Sequence, residues 1–326
     1  MSLIPDINSL AKGILSYDRG CLSRGITLIE SGLSSDRDKA QLLLNKLLGH
    51  TNSALRIAVT GSPGVGKSSL IEKLGLHLTE SGNRIAVLSI DPSSPNTGGS
   101  IMGDKTRMPQ LAHHEDVFIR PSPSGNTQGG VTHATRSAML LCEAAGYNPI
   151  IIETVGTGQG DYGVRHVVDF VLLLVLPHAG DELQGIKRGI LEIADLIAVT
   201  KADGDMKSKS GIAAKSYQHA LGMRTNKLSI PKVLITSAHD NSGISEVWES
   251  IQSLETDALH HGHFQQRRQQ QIKDAILEAT RSLLLSDFNG SEYRSLNDMQ
   301  QKVVNSKSTV HEAARRLLNE YLQSQK

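Results

Sequence analysis

Through the middle of the chain, continuous runs of Val, Ile and Leu alternate with stretches whose apolar residues return every three or four positions. The apolar runs fall at 56–60, 84–91, 117–121, 149–154, 170–176, 196–201 and 232–236. They do not alternate apolar with polar, so they predict strands covered on both faces and hence a mostly parallel sheet. Parallel neighbours need crossover helices. The segments near 67–81, 130–146, 182–194, 207–221 and 243–259 carry the helical period that would supply them. The fold class is α/β.

Both flanks read differently. Leu10, Ile14, Leu22, Ile26 and Ile29 come at helical spacings, and 41–48 is a second leucine-rich stretch. Asn52 and Ser53 mark a break. Beyond 263 no further strand pattern occurs. Ile272, Ala275, Ile276, Ala279 and Leu283 form one apolar helix face, and Val310, Ala313, Ala314, Leu317, Leu318 and Tyr321 another. The expected division is an N-terminal helical extension at 1–52, a central domain at 53–262 and a C-terminal helical arm at 263–326. The arm either packs on the central sheet or carries a dimer contact.

Composition narrows the class. Hydrophobic residues make up 38% of the 326, with only 3% aromatic, so aliphatic side chains must fill the core. A net charge of +1 argues against a dedicated nucleic-acid surface or a polybasic membrane patch. The first residues lack a basic stretch followed by an apolar one, and no apolar run approaches bilayer length. Cys21 and Cys142 form neither a metal pair nor a disulfide framework, as expected of a reducing compartment. A soluble, cytoplasmic protein is expected.

Gly61-Ser62-Pro63-Gly64-Val65-Gly66-Lys67-Ser68 matches G-x-x-x-x-G-K-[ST] in full, followed by Ser69. A predicted strand runs into the loop and a predicted helix leaves it, which is the context that gives the pattern meaning. The glycines let backbone N–H groups approach phosphate oxygens, and the helix start adds partial positive charge. Lys67 would place a cation against the β- and γ-phosphates, and the Ser68 hydroxyl would ligate Mg²⁺. The chain is therefore expected to be a Mg²⁺-dependent P-loop NTPase with a mostly parallel central sheet, flanked by N-terminal and C-terminal helical extensions.

Such a site needs carboxylates near the metal. Glu153 ends the apolar run at 149–152, three residues before Gly156, whose N–H could reach the γ-phosphate. Asp91 ends the apolar run from Ala86 to Ile90, where a turn or helix cap ahead of Pro92 would also suit an Asp. Asp104 lies in the glycine-rich stretch 97–107. Lys67, Asp91, Asp104 and Glu153 are the candidate catalytic groups, and Ser68 with the three carboxylates the candidate metal ligands.

Thr200-Lys201-Ala202-Asp203 is close to the guanine pattern N-K-x-D and also ends an apolar run. Asp203 would accept two hydrogen bonds from guanine N1–H and the exocyclic amine, a pair that adenine does not offer. Lys201 would lie along the base. Thr200 replaces the usual Asn. Downstream, Ser237 and Ala238 match the Ser-Ala loop that assists guanine contact. GTP is the expected substrate and GDP the product.

Together these motifs resemble the methylmalonyl-CoA mutase-associated GTPases, also called MeaB/ArgK, within the SIMIBI class of P-loop GTPases. The resemblance spans nearly the whole chain. It is carried by Gly61–Ser68, by Asp91-Pro-Ser-Ser-Pro, by Gly98-Gly-Ser-Ile-Met-Gly-Asp-Lys-Thr-Arg-Met, by Glu153-Thr-Val-Gly-Thr-Gly-Gln and by Pro177-His-Ala-Gly-Asp-Glu-Leu-Gln-Gly-Ile-Lys-Arg-Gly. Thr200 and His178 depart from it. The resemblance implies a homodimer that serves as chaperone to an adenosylcobalamin-dependent acyl-CoA mutase, nucleotide state gating cofactor loading and protection. It also implies switch segments at 91–107 and 153–160, and a further one facing the partner at 177–189. The rival readings are a kinase linked to a transport system, as the ArgK label implies, and a metallochaperone GTPase.

The remaining candidates carry less. His260, His261 and His263 lack metal-ligand spacing and read as a solvated link before the C-terminal helices. Arg267 and Arg268, followed by glutamines, read as a solvated helix face. Arg107 and Arg120 could contact phosphate or pair at the surface. No arginine stands out as an intrinsic finger, so slow hydrolysis accelerated by a partner is expected.

Overall fold

The computed structural model describes residues 6–31, 33–51, 54–91, 107–123, 133–156, 161–177, 188–222, 230–290, 296–305 and 308–324. Asp104, the switch segment between 92 and 106, and residues 178–187 lie outside them. The chain divides into two compact units, 1–269 and 270–326.

In the first unit, helices α1 (Ile7–Leu15), α2 (Arg19–Glu30) and α3 (Ser34–Leu47) precede β1 (Arg56–Gly61). Then follow α4 (Lys67–Glu80), β2 (Ile85–Asp91), the short α5 (Pro109–Ala112), β3 (Val117–Pro123) and α6 (His133–Ala144). The second half runs β4 (Ile150–Glu153), β5 (Phe170–Val175), α7 (Arg188–Ile193), β6 (Leu196–Val199), α8 (Met206–Gly222), β7 (Lys232–Ile235) and α9 (Ile244–His260). The strands form one seven-stranded sheet in the order β3-β2-β4-β1-β5-β6-β7, every neighbouring pair parallel. All seven runs expected from the sequence are strands.

Alternation along the strands builds two cores. On β1, Ile57 and Val59 face the layer containing Leu70, Ile71 and Leu74 of α4 and Val247 of α9. Ala58, with Ala86 and Leu88 of β2, joins the opposite layer, which holds Leu10, Ile14, Leu22 and Ile26 of α1 and α2. Those four side chains are fully buried. Each contributes about 1.5–3 kcal/mol relative to exposure. The N-terminal helices therefore cover one face of the sheet. They break at Tyr17, which adopts φ 65°, between α1 and the Asp18 side chain that caps α2 by accepting from Cys21 N at 2.9 Å.

At the N-terminal edge of the sheet a charge network closes the core. Asp169, 1% exposed, accepts from Arg56 N at 2.8 Å and from Arg268 Nε and Nη2 at 2.8 and 2.7 Å. Arg268 also donates to Ala54 O at 2.7 Å, and Glu143 takes both Ala54 N and the Arg56 guanidinium. Burial alone pulls the Arg268 pKa down, and the hydrogen bond and charge of Asp169 more than offset it, so the net shift is upward. Arg267 donates to Asp169 O and stands 3.6 Å from Asp195. This corrects the solvated-face reading of the two arginines: their partners lie far away in sequence, where helical periodicity gives no sign of them.

Arg267 and Arg268 sit in the first turns of α10 (His263–Gly290), which begins in the first unit. The second unit continues with α11 (Leu296–Val304) and α12 (Val310–Ser324), where Tyr321 donates to Asp287 at 2.6 Å and meets the Phe288 ring edge-on. Among the described residues no helix is long and apolar enough to cross a membrane.

Candidate active site: a phosphate loop and a base pocket

Open parallel sheets place ligands at the carboxyl ends of their strands, and the phosphate-loop residues, Glu153, Lys201, Asp203 and Ser237 gather there. β1 ends in Gly61 and α4 begins at Lys67, with the loop 62–66 between them. Gly66 caps α4 at φ 101°, a conformation that other residues adopt only with strain. The Lys67 ammonium folds back over the loop and donates to Gly61 O at 2.9 Å and Ser62 O at 3.2 Å. Lys67 is 9% exposed. A phosphate oxygen would accept from the same ammonium.

Beside the loop stands the end of β4. Ser68 Oγ donates to Glu153 Oε1 at 2.6 Å, and Ser89 Oγ donates to Glu153 Oε2 at 3.2 Å. Ser89 lies opposite Glu153 in the β2–β4 register, and Asp91 follows two residues later at the tip of β2. Thr154 Oγ1 donates to Thr60 Oγ1 at 3.0 Å, tying the two strand ends together. After β4 the backbone runs against the phosphate loop. A Cβ on Gly156 would lie 2.2 Å from Gly61 O and 2.7 Å from Lys67 Nζ, and Gly156 has φ 84°. A methyl group does not fit there.

Oxygen atoms from Ser68 and Glu153 thus meet next to a lysine at a helix start. That donor set suits a hard divalent cation and a polyphosphate. Asp91 stands at the same edge of the sheet.

Next to the phosphate loop lies a pocket of about 400 Å³. Val65, Gly66 and Ser69 line one side, and Lys201, Asp203 and Ala238 another. Asp203 accepts from Ser237 Oγ at 2.6 Å, and Ser237 Oγ in turn accepts from Asp240 N at 3.1 Å. Ala202 N donates to Thr236 O at 3.1 Å, joining the two loops that carry these residues. The carboxylate is thereby held in one orientation at the pocket wall, able to accept from a base with adjacent N–H groups. Thr200 Oγ1 donates to Val65 O at 2.7 Å, linking the base pocket to the phosphate loop.

Some lining residues went unread in the sequence. Glu72 and Lys73 line the pocket, and Glu72 also accepts from Gln110 N at 2.8 Å, holding the start of α5. Their signal was helical: three and four residues after Ser69, they share its face. His239 lines the pocket with Nδ1 2.7 Å from Asp240 Oδ1. That hydrogen bond, then the charges of Asp240 and Asp203, raise its pKa. Ser89 was an isolated polar residue in a buried run. Arg120, a possible phosphate contact, pairs with Glu30 of α2 at 2.6 Å. Among the described residues, no three His, Cys, Asp or Glu side chains gather as metal ligands.

Comparison with known proteins gives the same reading at family level. Residues 22–292 match the model of the family described as methylmalonyl-CoA mutase-associated GTPase MeaB. A probable GTPase of Mycobacterium tuberculosis is 42% identical over 316 residues, 96% of this chain and 94% of that protein. The GTPase ArgK of Escherichia coli is 38% identical, covering 99% and 98% of the two chains. The mitochondrial methylmalonic aciduria type A homolog of Mus musculus is 39% identical over 97% of this chain and 79% of its own length. A crystal structure described as a LAO/AO transport system kinase superposes with TM-score 0.76 at 33% identity, over 97% of each chain. Likeness of this extent, running through both the phosphate loop and the base pocket, makes the chain a member of the methylmalonyl-CoA mutase-associated GTPase family MeaB and a GTP hydrolase.

Proposed function

We propose that this GTPase is a nucleotide-controlled chaperone of an adenosylcobalamin-dependent acyl-CoA mutase of the methylmalonyl-CoA type, its nucleotide state gating cofactor loading and protecting the mutase. The observation that carries the reading is the family match across both motif sets, together with the kinship to the mouse methylmalonic aciduria type A homolog. Its setting is cytoplasmic, and neither nucleic acid nor membrane is among its partners.

In this reading Ser68 and Glu153, with Asp91 and Asp104, hold Mg²⁺. When bound, the cation neutralises charge on the β- and γ-phosphates. Lys67 exchanges its two loop carbonyls for phosphate oxygens, and the Gly156 N–H meets the γ-phosphate. Asp203, oriented by Ser237, reads the guanine N1–H and amine, with Lys201 and Ala238 bordering the base. The described arginines Arg56, Arg120, Arg165 and Arg268 are engaged with Glu143, Glu30, Asp195 and Asp169. A slow basal rate, stimulated by the partner, belongs to the same reading, since no arginine of the sequence stands out as an intrinsic finger. Residues 177–189 couple nucleotide state to the partner.

The second unit supplies a homodimer contact. Ile272, Ile276 and Leu283 lie along one stripe of α10 and are 60%, 60% and 71% exposed. Ile276→Glu with Leu283→Glu should give a monomer by light scattering while GDP binding persists. A double variant that stays dimeric would remove this face from the contact.

The central test is reconstitution with the native mutase. GTP turnover should rise when mutase is added, and cobalamin transfer should depend on which nucleotide is bound. Absence of both a complex and stimulation would sink the chaperone reading. Tracing the γ-phosphate tests the kinase alternative carried by the name of the solved relative: label should appear as inorganic phosphate, not on a protein or small-molecule acceptor.

A further inference from the structure

Thr200 stands where the guanine pattern has Asn, and its one hydroxyl proton is committed. Thr200 Oγ1 lies 2.7 Å from Val65 O and 3.2 Å from Val175 O. Both neighbours are carbonyl acceptors, so the hydroxyl hydrogen goes to them. What the side chain can still offer a base is lone pairs and a methyl group. The residue is 4% exposed and lines the pocket between the phosphate loop and Asp203. The edge of guanine away from N1 and the amine presents N7 and O6, both acceptors. Acceptor against acceptor makes no bond. An Asn amide would differ in kind, because its two N–H groups can hold a loop carbonyl and still donate to a base.

We infer that Thr200 is a positioning residue that ties β6 to the phosphate loop and leaves N7 of the base unread, so that the pocket accepts guanine nucleotides altered at position 7. The inference rests on the reading of this pocket as the guanine site. Selection of guanine then falls on the Asp203 side alone.

The test is calorimetric titration of the full chain with GDP, 7-deaza-GDP and ADP. 7-Deaza-GDP replaces N7 by C–H and keeps the edge that Asp203 meets. The parent should bind GDP and 7-deaza-GDP within about twofold of each other, since no hydrogen bond is lost. Thr200→Asn should bind GDP more tightly and open the gap between the two ligands to roughly tenfold, the effect of one added hydrogen bond. Thr200→Val, which keeps the shape and removes the tether to Val65, should weaken both ligands by the same factor. A parent that already discriminates tenfold would overturn the inference and assign N7 to another donor lining the pocket, Lys73, Lys201 or His239. An Asn variant whose two affinities stay equal would overturn it as well, because position 200 would then not face the base edge. Equal affinity for ADP and GDP would instead remove the guanine reading, and this inference with it. A parent that favours GDP over ADP but loses 7-deaza-GDP would leave the guanine site standing and remove only the claim about N7.

Discussion

Ser68 and Glu153 are joined by a 2.6 Å hydrogen bond from hydroxyl to carboxylate, across 85 residues of sequence. The first residue belongs to the helix that leaves the phosphate loop, the second to the end of the neighbouring strand. The bond brings a hydroxyl from the helix start and a carboxylate from the strand end to the same point. The longer Glu, where Asp is usual, reaches Ser68 while its second oxygen takes Ser89.

Glu153→Gln removes the charge and keeps the shape. Its amide oxygen can still accept from Ser68, so the fold and GDP binding without Mg²⁺ should persist. Hydrolysis should fall by roughly 10²-fold or more, the usual loss when an electrostatic group is taken from such a site. Single-turnover GTP hydrolysis across a Mg²⁺ titration measures this. A variant with the parent's rate and Mg²⁺ dependence would place Glu153 outside the phosphate machinery. Lys67→Ala should abolish turnover in the same assay.

Asp203→Asn should convert the base preference from GTP to XTP, because xanthine carries a carbonyl where guanine has its amine. Ser237 can still donate to the new amide oxygen, so the loop should hold. Affinity for GTP should drop by about 10²-fold, since a bidentate partner is lost in a partly desolvated pocket. Competition titrations with both nucleotides decide it. Unchanged GTP affinity would remove Asp203 from the base pocket.

Arg268→Ala should cost about 3 kcal/mol of stability, because Asp169 is left buried without its principal partner. Urea unfolding of the GDP-bound protein is the measurement. Asp169→Asn in the same background should recover part of the loss by removing the stranded charge. An effect below about 0.5 kcal/mol, the scale of a surface pair, would show that the network is solvated.

Glu255 of α9 has a raised pKa, first because of burial and then because Asp169 is nearby, with Arg268 opposing. A carboxyl raised on folding destabilises the protein above its folded pKa and has no effect below its unfolded value of 4.5. Glu255→Gln should therefore be more stable than the parent at neutral pH. The gain should shrink as pH falls through the folded pKa and vanish below about 4.5, where both side chains are neutral. Stability curves at several pH values test the sign. A variant less stable at neutral pH would mean that the attraction to Arg268 outweighs the other two influences.

The sheet was legible because buried parallel strands leave unbroken Val, Ile and Leu runs, and Ile57, Val87 and Leu172 sit in the layer that such runs demand. The phosphate loop was legible because its chemistry needs particular residues at fixed spacing. What the pattern could not convey were pairings between distant positions. Ser89 looks like an interruption of a strand until the register sets it opposite Glu153. Arg267 and Arg268 look solvated until Asp169 and Asp195 are found beneath them. Nor does the pattern count breaks well: 1–52 reads as helical, yet Tyr17 at φ 65° separates two helices. Asp104 and most of the 177–189 segment lie outside the described residues, and their proposed roles rest on the sequence.

Gly156 gives the site a genetic property. With Gly61 O 2.2 Å from where its Cβ would stand, even alanine collides with backbone. Every missense change of a glycine codon installs at least that carbon, so none of its mutational neighbours is mild. Inherited or laboratory variation at this codon should divide into silent changes and loss of function, with no graded series between them. Position 200 should behave in the opposite way, since Thr and Ser share the hydroxyl that reaches Val65 and a single base change interconverts them.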